Sequence, residues 1–236
     1  MGQGHGWQGT VLKLMGAKDF VLTVTGAEHV TPEYRRLHFT DGGLLTACAV
    51  HPTMWVRLWF DNAGKPHQRA YTLVDPDPQA GTFSLEFALH EGRASDWARA
   101  AKAGDTIEAT VQGTGFQHPR PEPSHVFAIA DPASLPALNS LLDALGPAPA
   151  TIWFEGELKG LPCRADTARH EIRRVPRPGL VDAVRAALPA LLTATPAPYV
   201  WIACDTVTTR TLASYVRKEL SVPKDRMHAL GYWRAS

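Results

Sequence analysis

One short stretch places an anion-binding type of side chain beside an aromatic ring. HQRAYTLVDPD, residues 67–77, is typical of a short β-strand in which Arg69 stands two residues before Tyr71 and Thr72 follows directly. A guanidinium presents a planar fork of N–H donors that suits a phosphate or a carboxylate. A strand that needs only one buried face has no use for this arginine. The residues therefore indicate either an anion site or a cross-strand salt bridge beside a core tyrosine.

Two aspartates follow apolar segments in the second half of the chain. HVFAIAD ends at Asp131 and YVWIACD ends at Asp205, and each runs into a stretch with helical periodicity. A carboxylate at a helix start can cap free N–H groups, which is one interpretation of both residues. The other is a dinucleotide site that also includes Ser134, because ligands of open α/β sheets bind beyond the carboxyl ends of the strands. No G-x-G-x-x-G segment follows the first strand, so we expect weak, transient dinucleotide binding.

Composition argues against several other classes of protein. The 24 Lys and Arg residues nearly balance the 23 Asp and Glu residues, and a formal net charge of +1 gives no general attraction to nucleic acid. Three widely spaced cysteines without a C-x-x-C pair cannot form a four-cysteine iron–sulfur site or a disulfide framework. The ten histidines are scattered, and we expect no metal site. No apolar run approaches the roughly 20 residues that span a bilayer, and the N-terminus lacks signal-peptide features, so we expect a cytoplasmic protein.

The elements that must position these residues differ between the two halves of the chain. Up to about residue 122, six short segments rich in β-branched and aromatic residues alternate with turn signals such as DGG and DNAGKP. This spacing indicates a small antiparallel barrel, interrupted by one alanine-rich helix, ASDWARAAKAG. After the proline-rich HPRPEPS, strands alternate with helices of 10 to 15 residues, which is typical of a doubly wound parallel sheet. We therefore expect two domains, 1–122 and 123–236.

The motifs resemble those of a known family. RAYT is similar to the R-x-Y-[ST] signature of the ferredoxin-reductase superfamily. FALHEGRASDWARAAKAGD, ADPASLPALNSLLDAL and GYWR resemble segments of one branch, the siderophore-interacting proteins. The opening QGTVLKLMGAKDF, together with QRAYT, is especially close to the siderophore-interaction domain of mycobacterial siderophore ABC importers. These segments occur in order from about residue 8 to residue 234.

The resemblance implies a fold and a set of binding residues. The implied fold is ferredoxin-reductase-like, with an antiparallel flavin-binding barrel followed by a doubly wound parallel-sheet domain that binds NAD(P)H. FAD would be bound by residues of the R-x-Y-T strand, the next strand end, the helix start after it and the C-terminal segment. These residues are Arg69, Ala70, Tyr71, Thr72, Leu89, His90, Ala94, Ser95, Asp96, Tyr232 and Trp233. NADH or NADPH would bind at Asp131, Ser134 and Asp205.

The chain departs from the family pattern before the helix start. The usual Gly-Pro is replaced by Gly92-Arg93, which changes the expected phosphate loop. At the other end, Tyr232 and Trp233 could lie near the flavin, or Trp233 could pack between the domains. A group of arginines could bind a 2′-phosphate or an anionic siderophore, or could form a solvated basic face; these are Arg164, Arg169, Arg173 and Arg174.

The activity implied by the resemblance is FAD-dependent reduction of a ferric siderophore by NAD(P)H, which releases Fe(II). The alternatives are an NAD(P)H flavin reductase or electron-transfer enzyme of the same superfamily, and a non-catalytic module that docks to a siderophore transporter. The expected partners are a ferric siderophore and a siderophore ABC importer at the inner membrane face, and we expect a monomer. No catalytic side chain is assigned, because the implied chemistry needs no protein acid or base.

Overall fold

The computed structural model describes residues 18–62 and 65–234, without the side chains of residues 62, 65 and 66. Residues 8–17 of the opening segment that resembles the importers lie outside the described residues. The chain divides into two compact units between Phe116 and Gln117. The boundary suggested by the proline-rich segment, after residue 122, falls a few residues later. No helix in the described ranges is long and apolar enough to cross a membrane.

The first unit is an antiparallel half-barrel. Its seven strands are β1 (Lys18–Thr31), β2 (Tyr34–Thr40), β3 (Trp55–Asn62), β4 (Lys65–Thr72), β5 (Val74–Asp77), β6 (Thr82–Ala88) and β7 (Thr106–Val111). They follow the order β4-β3-β7-β1-β2-β6-β5 in the sheet. The helices are α1 (Leu44–Ala47) and α2 (Arg93–Ala100). The antiparallel arrangement predicted from the strand spacing is confirmed.

Alternation along the strands builds the core of this unit. In β3, Val56, Leu58 and Phe60 are almost completely buried, as the period of two in a strand requires. They join an apolar cluster with β1, β2, β6 and β7, and Tyr71 and Trp97 pack against its margin. The R-A-Y-T segment is therefore the end of β4, with Tyr71 turned toward the core.

The second unit is built on a parallel sheet. Its strands are β8 (His125–Ala130), β9 (Ala150–Glu155), β10 (His170–Val175), β11 (Pro198–Ala203) and β12 (Met227–Ala229), in the order β10-β9-β8-β11-β12. Its helices are α3 (Leu135–Ala144), α4 (Leu180–Thr193) and α5 (Thr206–Lys218), with short 3₁₀ turns at Arg177–Gly179 and Lys224–Arg226. The parallel sheet predicted from the strand–helix alternation is confirmed.

Both faces of this sheet are covered. Phe127 and Ile129 of β8 belong to a core with α4 and α5. The intervening Val126, Ala128 and Ala130 are equally buried, which a half-exposed strand would not allow. Because the strands are parallel, their carboxyl ends meet at one edge, which brings together the residues that follow β8, β9 and β11.

Candidate functional site

The end of β4 presents Arg69 and Tyr71 on one face. In the antiparallel pairing with β3, Arg69 stands opposite Leu58 and Tyr71 opposite Val56. The ring of Tyr71 lies 4.3 Å, centroid to centroid, from that of Phe87. Burial raises the pKa of Tyr71 well above its ordinary value, so its phenol stays neutral. The half-buried ring is held by the core, and Arg69 lies beside it.

Arg69 itself is exposed and makes no ion pair within the described residues. Its Nη1 donates a hydrogen bond to the carbonyl of Gln68 at 2.9 Å. The cross-strand salt bridge considered from the sequence is therefore not found in this part of the chain. A guanidinium in this state retains donors for an external anion.

Thr72 supplies the test of whether a polar group fits here. The residue is 5% exposed, and its Oγ1 has no hydrogen-bond partner among the residues described. A buried hydroxyl without a partner costs about 1–3 kcal/mol. A bound group with a polar edge would give this hydroxyl a hydrogen-bond partner, so the strand fits the flavin implied by the motif.

Ala70 lies on the opposite face of β4 from Arg69 and Tyr71. It is exposed and pairs with Arg57 of β3, a second cation close to the R-A-Y-T segment. The guanidinium of Arg57 lies 4.7 Å over the ring of Trp55, and its buried Nε has no partner within the described ranges. Burial lowers the pKa of Arg57. Sequence reasoning missed this residue, although an arginine inside the apolar run TMWVRLWF was the available signal.

Leu89 and His90 continue beyond β6 toward the next helix. The N–H of Leu89 donates to the carbonyl of Glu33 at 2.7 Å. His90 is exposed, and its Nδ1 lies 2.6 Å from the carbonyl oxygen of Glu91. The backbone N–H of His90 donates to the buried hydroxyl of Ser95 at 3.1 Å. The strand end and the helix start are thus tied to each other.

The start of α2 carries no side-chain cap. Gly92 precedes it with φ of 132°, a conformation that only glycine adopts without strain. The first N–H groups of a helix have no partner within the helix, and here these belong to Arg93, Ala94 and Ser95. The N–H of Asp96 is already bonded to the Gly92 carbonyl at 2.9 Å. Three amides at this helix start can therefore receive an anion.

The carboxylate of Asp96 acts against such an anion. It lies in the first turn of α2 and pairs with Arg99 at 3.2 Å. Because both side chains are exposed, the ion pair is screened and weak. Of the three residues named here from the sequence, Ala94 and Ser95 offer free amides, whereas Asp96 adds negative charge.

In the second unit, Asp131 follows β8 and is almost fully buried. Its Oδ1 accepts a hydrogen bond from the N–H of Ser134 at 2.9 Å, and its Oδ2 accepts from the indole Nε1–H of Trp233 at 2.6 Å. The Ser134 hydroxyl accepts from the N–H of Asp131 at 2.9 Å. Burial raises the pKa of Asp131, and these hydrogen bonds oppose the rise. Asp131 and Ser134 thus hold the turn from β8 into α3.

Asp205 follows β11 and caps α5. Its Oδ1 accepts from the N–H groups of Val207 at 2.9 Å and Thr208 at 3.2 Å. Its buried Oδ2 has no hydrogen-bond partner in the described chain and lies 3.6 Å from Nη2 of Arg177. Although burial acts in the opposite direction, these hydrogen bonds and the charge of Arg177 hold the pKa of Asp205 below its ordinary value.

Glu155, the last residue of β9, is a third carboxylate at this edge. It is 8% exposed, and its Oε1 lies 3.8 Å from Nε of Arg177. Its buried Oε2 has no hydrogen-bond partner among the described residues. Burial and the charges of Asp131 and Asp205 raise the pKa of Glu155. Sequence reasoning missed Glu155 and Arg177, although ATIWFE ends in a carboxylate after an apolar strand, just as the other two segments do.

Tyr232 and Trp233 extend the sheet past β12. The N–H of Tyr232 donates to the carbonyl of Cys204 at 2.9 Å, and the N–H of Thr206 donates to the carbonyl of Trp233 at 2.8 Å. Arg177 lies 4.7 Å over the ring of Trp233. A Cβ on Gly231 would come within 3.0 Å of the Cα of Thr206, so the segment passes very close to the start of α5. In this unit, Trp233 lies at the carboxyl edge of the parallel sheet, beside Asp131 and Arg177.

The four arginines of the possible basic face are all paired. Their N···O distances to carboxylates are 2.7 Å for Arg164–Asp143, 2.8 Å for Arg169–Asp166, 2.9 Å for Arg173–Glu171 and 3.0 Å for Arg174–Glu157. This pattern favours a solvated face over a preformed phosphate site. Within the described ranges, no group of three or more His, Cys, Asp or Glu residues could hold a metal ion.

Two family models match the chain and together cover most of it. The model described as "Siderophore-interacting FAD-binding domain" matches residues 46–113, and the model described as "Siderophore-interacting protein" matches residues 123–236. The first match lies within the first unit of the structure, and the second match lies within the second unit.

Curated relatives agree with these models. The chain is 33% identical, over 97% of its length, to the mycobactin import ATP-binding/permease protein IrtA of Mycolicibacterium smegmatis. It spans about a quarter of that relative, 27% of its length. It is also 26% identical to the ferric acinetobactin reductase of Acinetobacter baumannii, over 78% of this chain and 67% of that protein.

Solved structures show the same fold. The siderophore-interacting protein of Acinetobacter baumannii superposes with a TM-score of 0.79 at 22% identity, over 93% of this chain and 92% of that one. A ferredoxin–NADP⁺ reductase of Plasmodium falciparum superposes with a TM-score of 0.70 at 13% identity, over 91% and 96%. The fold is thus ferredoxin-reductase-like. The two family models, which both describe siderophore-interacting domains, show that the chain belongs to the siderophore-interacting protein family.

Proposed function

We propose that this chain is an FAD-dependent ferric-siderophore reductase that takes electrons from a nicotinamide dinucleotide. The observation that carries the proposal is the incomplete state of the R-A-Y-T strand. Arg69 is exposed without an ion pair, and the buried Thr72 hydroxyl has no partner, among the described residues. A bound flavin nucleotide supplies what both groups lack. The match to a ferric acinetobactin reductase supports the choice of reaction.

Each proposed flavin contact follows from the chemistry of the side chain. Arg69 would bind the diphosphate, Tyr71 would lie along the ring system, and Thr72 would hydrogen-bond its polar edge. The free amides of Ala94 and Ser95 would add donors for the diphosphate. FAD, when bound, accepts a hydride and can release its electrons singly.

The proposed substrate is iron held by hard oxygen donors. Such ligands bind Fe(III) tightly and hold the softer Fe(II) much less tightly, so reduction releases the metal. The protein needs no general acid or base for this change. Its residues would bind and orient the flavin and the ferric siderophore, and no catalytic side chain is assigned.

The electron donor would bind at the carboxyl edge of the parallel sheet, at Asp131, Ser134 and Asp205. In open α/β sheets this edge is the usual ligand site. Since there is no glycine-rich fingerprint, we expect weak binding and flavin reduction rates that saturate only at high nucleotide concentration. Submicromolar affinity for both nucleotides would contradict this assignment.

The same comparisons support a proposal about partners. The match to IrtA, an importer, favours association with a siderophore ABC importer at the cytoplasmic face of the membrane. We propose a cytoplasmic monomer that receives the ferric siderophore there. Co-purification with such an importer would support the association, and its failure would leave the reductase activity to be judged separately.

The decisive experiment is an anaerobic titration of flavin-loaded protein. Its absorbance spectrum is followed while NADH or NADPH is added, and a ferric chelate is then supplied with a ferrous chelator present. We expect flavin bleaching followed by trapped Fe(II). Free flavin must first be removed by gel filtration, because reduced flavin in solution also reduces iron.

The other outcomes identify the alternatives. Fe(II) that appears only when excess free flavin is added would indicate a flavin reductase. A flavin-loaded sample that gives no Fe(II) with NADH or NADPH, and none after its flavin has been reduced by dithionite and the excess dithionite removed, would indicate a docking module instead of an enzyme.

A further inference from the structure

The carboxyl edge of the parallel sheet carries more negative than positive charge. Asp131, Glu155 and Asp205 end three neighbouring strands, and each is at most 8% exposed. Arg177 lies 3.8 Å from Glu155 and 3.6 Å from Asp205. At pH values where the carboxyls are ionised, one guanidinium offsets only part of their charge.

Glu155 differs from its two neighbours because its carboxylate lacks hydrogen bonds. Asp131 accepts from Ser134 and Trp233, and Asp205 accepts from the start of α5. No residue in the described ranges donates a hydrogen bond to Glu155, and at 3.8 Å the guanidinium of Arg177 is beyond hydrogen-bond distance. A buried carboxylate in this state needs donors.

The position of Glu155 in the sheet suggests which donors those are. It ends β9, the second strand of the unit in chain order and the neighbour of β8. In doubly wound dinucleotide-binding sheets, an acidic residue about 20 positions beyond the first strand accepts from the adenosine ribose 2′-hydroxyl, whereas an arginine accommodates a 2′-phosphate. β8, the first strand of the unit, ends at Ala130. Glu155 is the last residue of β9, the second strand, and so occupies the position that corresponds to this acidic residue.

The nearby arginines are poorly placed to reverse this preference. Arg173 and Arg174 of β10 are already paired with Glu171 and Glu157. A phosphate monoester carries about 1.5 to 2 negative charges at neutral pH. Next to buried carboxylates it would be repelled, while a hydroxyl could donate to them.

We propose that Glu155 makes this edge selective for a dinucleotide with a free ribose 2′-hydroxyl, so that the electron donor is NADH and not NADPH. The proposal rests on the proposed function, because it assumes that the edge binds the donor. It adds the identity of the coenzyme and the residue that selects it.

The test measures binding of two redox-inactive fragments, ADP-ribose and 2′-phospho-ADP-ribose, and so does not depend on activity. NMR titration at pH 8 follows the indole N–H of Trp233, which bonds Asp131 at this edge and can be assigned with Trp233→Phe. We expect ADP-ribose to bind the wild-type protein at least about tenfold more tightly, since like charges in contact cost several kcal/mol before screening. Glu155→Gln should remove most of that preference.

Glu219→Gln is the matched control. It removes the same charge from an exposed position at the C-terminal end of α5, the opposite end of that helix from Asp205. We expect it to leave the ratio of the two affinities unchanged, because exposed charges are screened. Thermal unfolding of each variant shows whether the fold is retained, and Glu155→Asp, which keeps the charge, should keep the preference.

Contrary results separate this proposal from the wider one. Tighter binding of the 2′-phosphate fragment to the wild-type protein, lost in Arg177→Gln, would overturn selection by Glu155 and leave the reductase function standing. Failure of both fragments to bind would overturn the nucleotide edge and this proposal with it. Reduction of a ferric chelate by holoprotein whose flavin has been reduced by dithionite, with the excess dithionite removed, would then decide the remainder of the proposed function.

Discussion

At the scale of single residues, the R-A-Y-T strand combines one side chain that has its packing partner with two polar side chains that lack partners of their own. Tyr71 is fixed by its contact with Phe87, whereas Arg69 has no ion pair and Thr72 no hydrogen bond among the described residues. An aromatic ring in a core needs no ligand, but a buried hydroxyl does. We therefore expect Arg69 and Thr72 to contribute more to the free energy of flavin binding than Tyr71 does.

Arg69→Ala should weaken FAD binding by about 1.5–3 kcal/mol, the range for a hydrogen bond to a charged group. Stability of the flavin-free protein should hardly change, since Arg69 is exposed. Flavin fluorescence titration measures the affinity. Arg174→Ala removes another exposed arginine, from the other unit, and serves as the control. Unchanged flavin affinity in Arg69→Ala would remove Arg69 from the site.

Thr72→Val should have opposite effects on stability and on binding. Without flavin, the free energy of unfolding should stay level or rise by up to about 1 kcal/mol, because an unsatisfied buried hydroxyl is removed. Flavin affinity should fall, because a donor is lost. Urea unfolding and flavin titration measure the two quantities.

Thr110→Val provides the matched control for Thr72→Val. Thr110 is also buried in the half-barrel, but its hydroxyl accepts from Trp59 and donates to Asp19 at 2.8 and 2.7 Å. This substitution should therefore destabilise the protein by about 1–3 kcal/mol. Equal losses of stability in both variants would show that the Thr72 hydroxyl is satisfied in solution.

At the scale of elements, one buried guanidinium joins three segments of the second unit. Arg226 is 7% exposed and donates to the carbonyls of Pro121, Ala197 and Pro198 at 2.6–3.0 Å. It connects the segment before β8 to the start of β11 and to the turn before β12. The sheet edge opposite the carboxylates depends on this side chain.

Arg226→Met should lower the free energy of unfolding by about 2–4 kcal/mol, because buried carbonyls lose their donors. Arg210→Met, at an exposed position on α5, should cost less than about 0.5 kcal/mol. Chemical unfolding followed by circular dichroism gives both values. A loss below 1 kcal/mol for Arg226→Met would mean that water replaces the guanidinium readily.

The helix α5 provides a second test at this scale. Asp205→Ala should cost about 1 kcal/mol by removing the cap, whereas Asp205→Asn can still accept from Val207 and should cost less. The pKa of Asp205 is depressed in the folded protein, so its ionised form stabilises the fold above the unfolded pKa of about 3.9. That contribution should be lost as the pH falls from this value through the lower pKa of Asp205 in the folded protein, and Asp205→Asn should not show the loss.

At the scale of the whole molecule, the two units should respond to different ligands. Hydrogen exchange measured by mass spectrometry should show protection by FAD in peptides covering residues 67–72 and 93–98. ADP-ribose should protect peptides covering residues 131–135, 153–157 and 203–208, because ligand binding suppresses local opening. Protection by ADP-ribose confined to the first unit would contradict the assignment of the sheet edge.

The sequence predicted the architecture well because periodicity and turn residues are local signals. The antiparallel half-barrel, the parallel sheet and the family are confirmed, and the R-A-Y-T strand lies where its motif indicated. Glu155 and Arg177 were missed because their importance depends on strand order, which places β9 beside β8 and brings β10 within reach. The pairing of Val74–Asp77 with β6 was not predicted either, because it depends on which strand lies alongside.

The close approach of Gly231 to Thr206 limits how the chain can vary. The obstacle is partly the backbone Cα of Thr206, which cannot rotate away, so any side chain at position 231 would push the segment outward and displace Trp233. Leu230 and Arg234 are exposed and should tolerate most substitutions. In a library of point variants, position 231 should therefore be intolerant beside the permissive position 230, for reasons of space and not of chemistry.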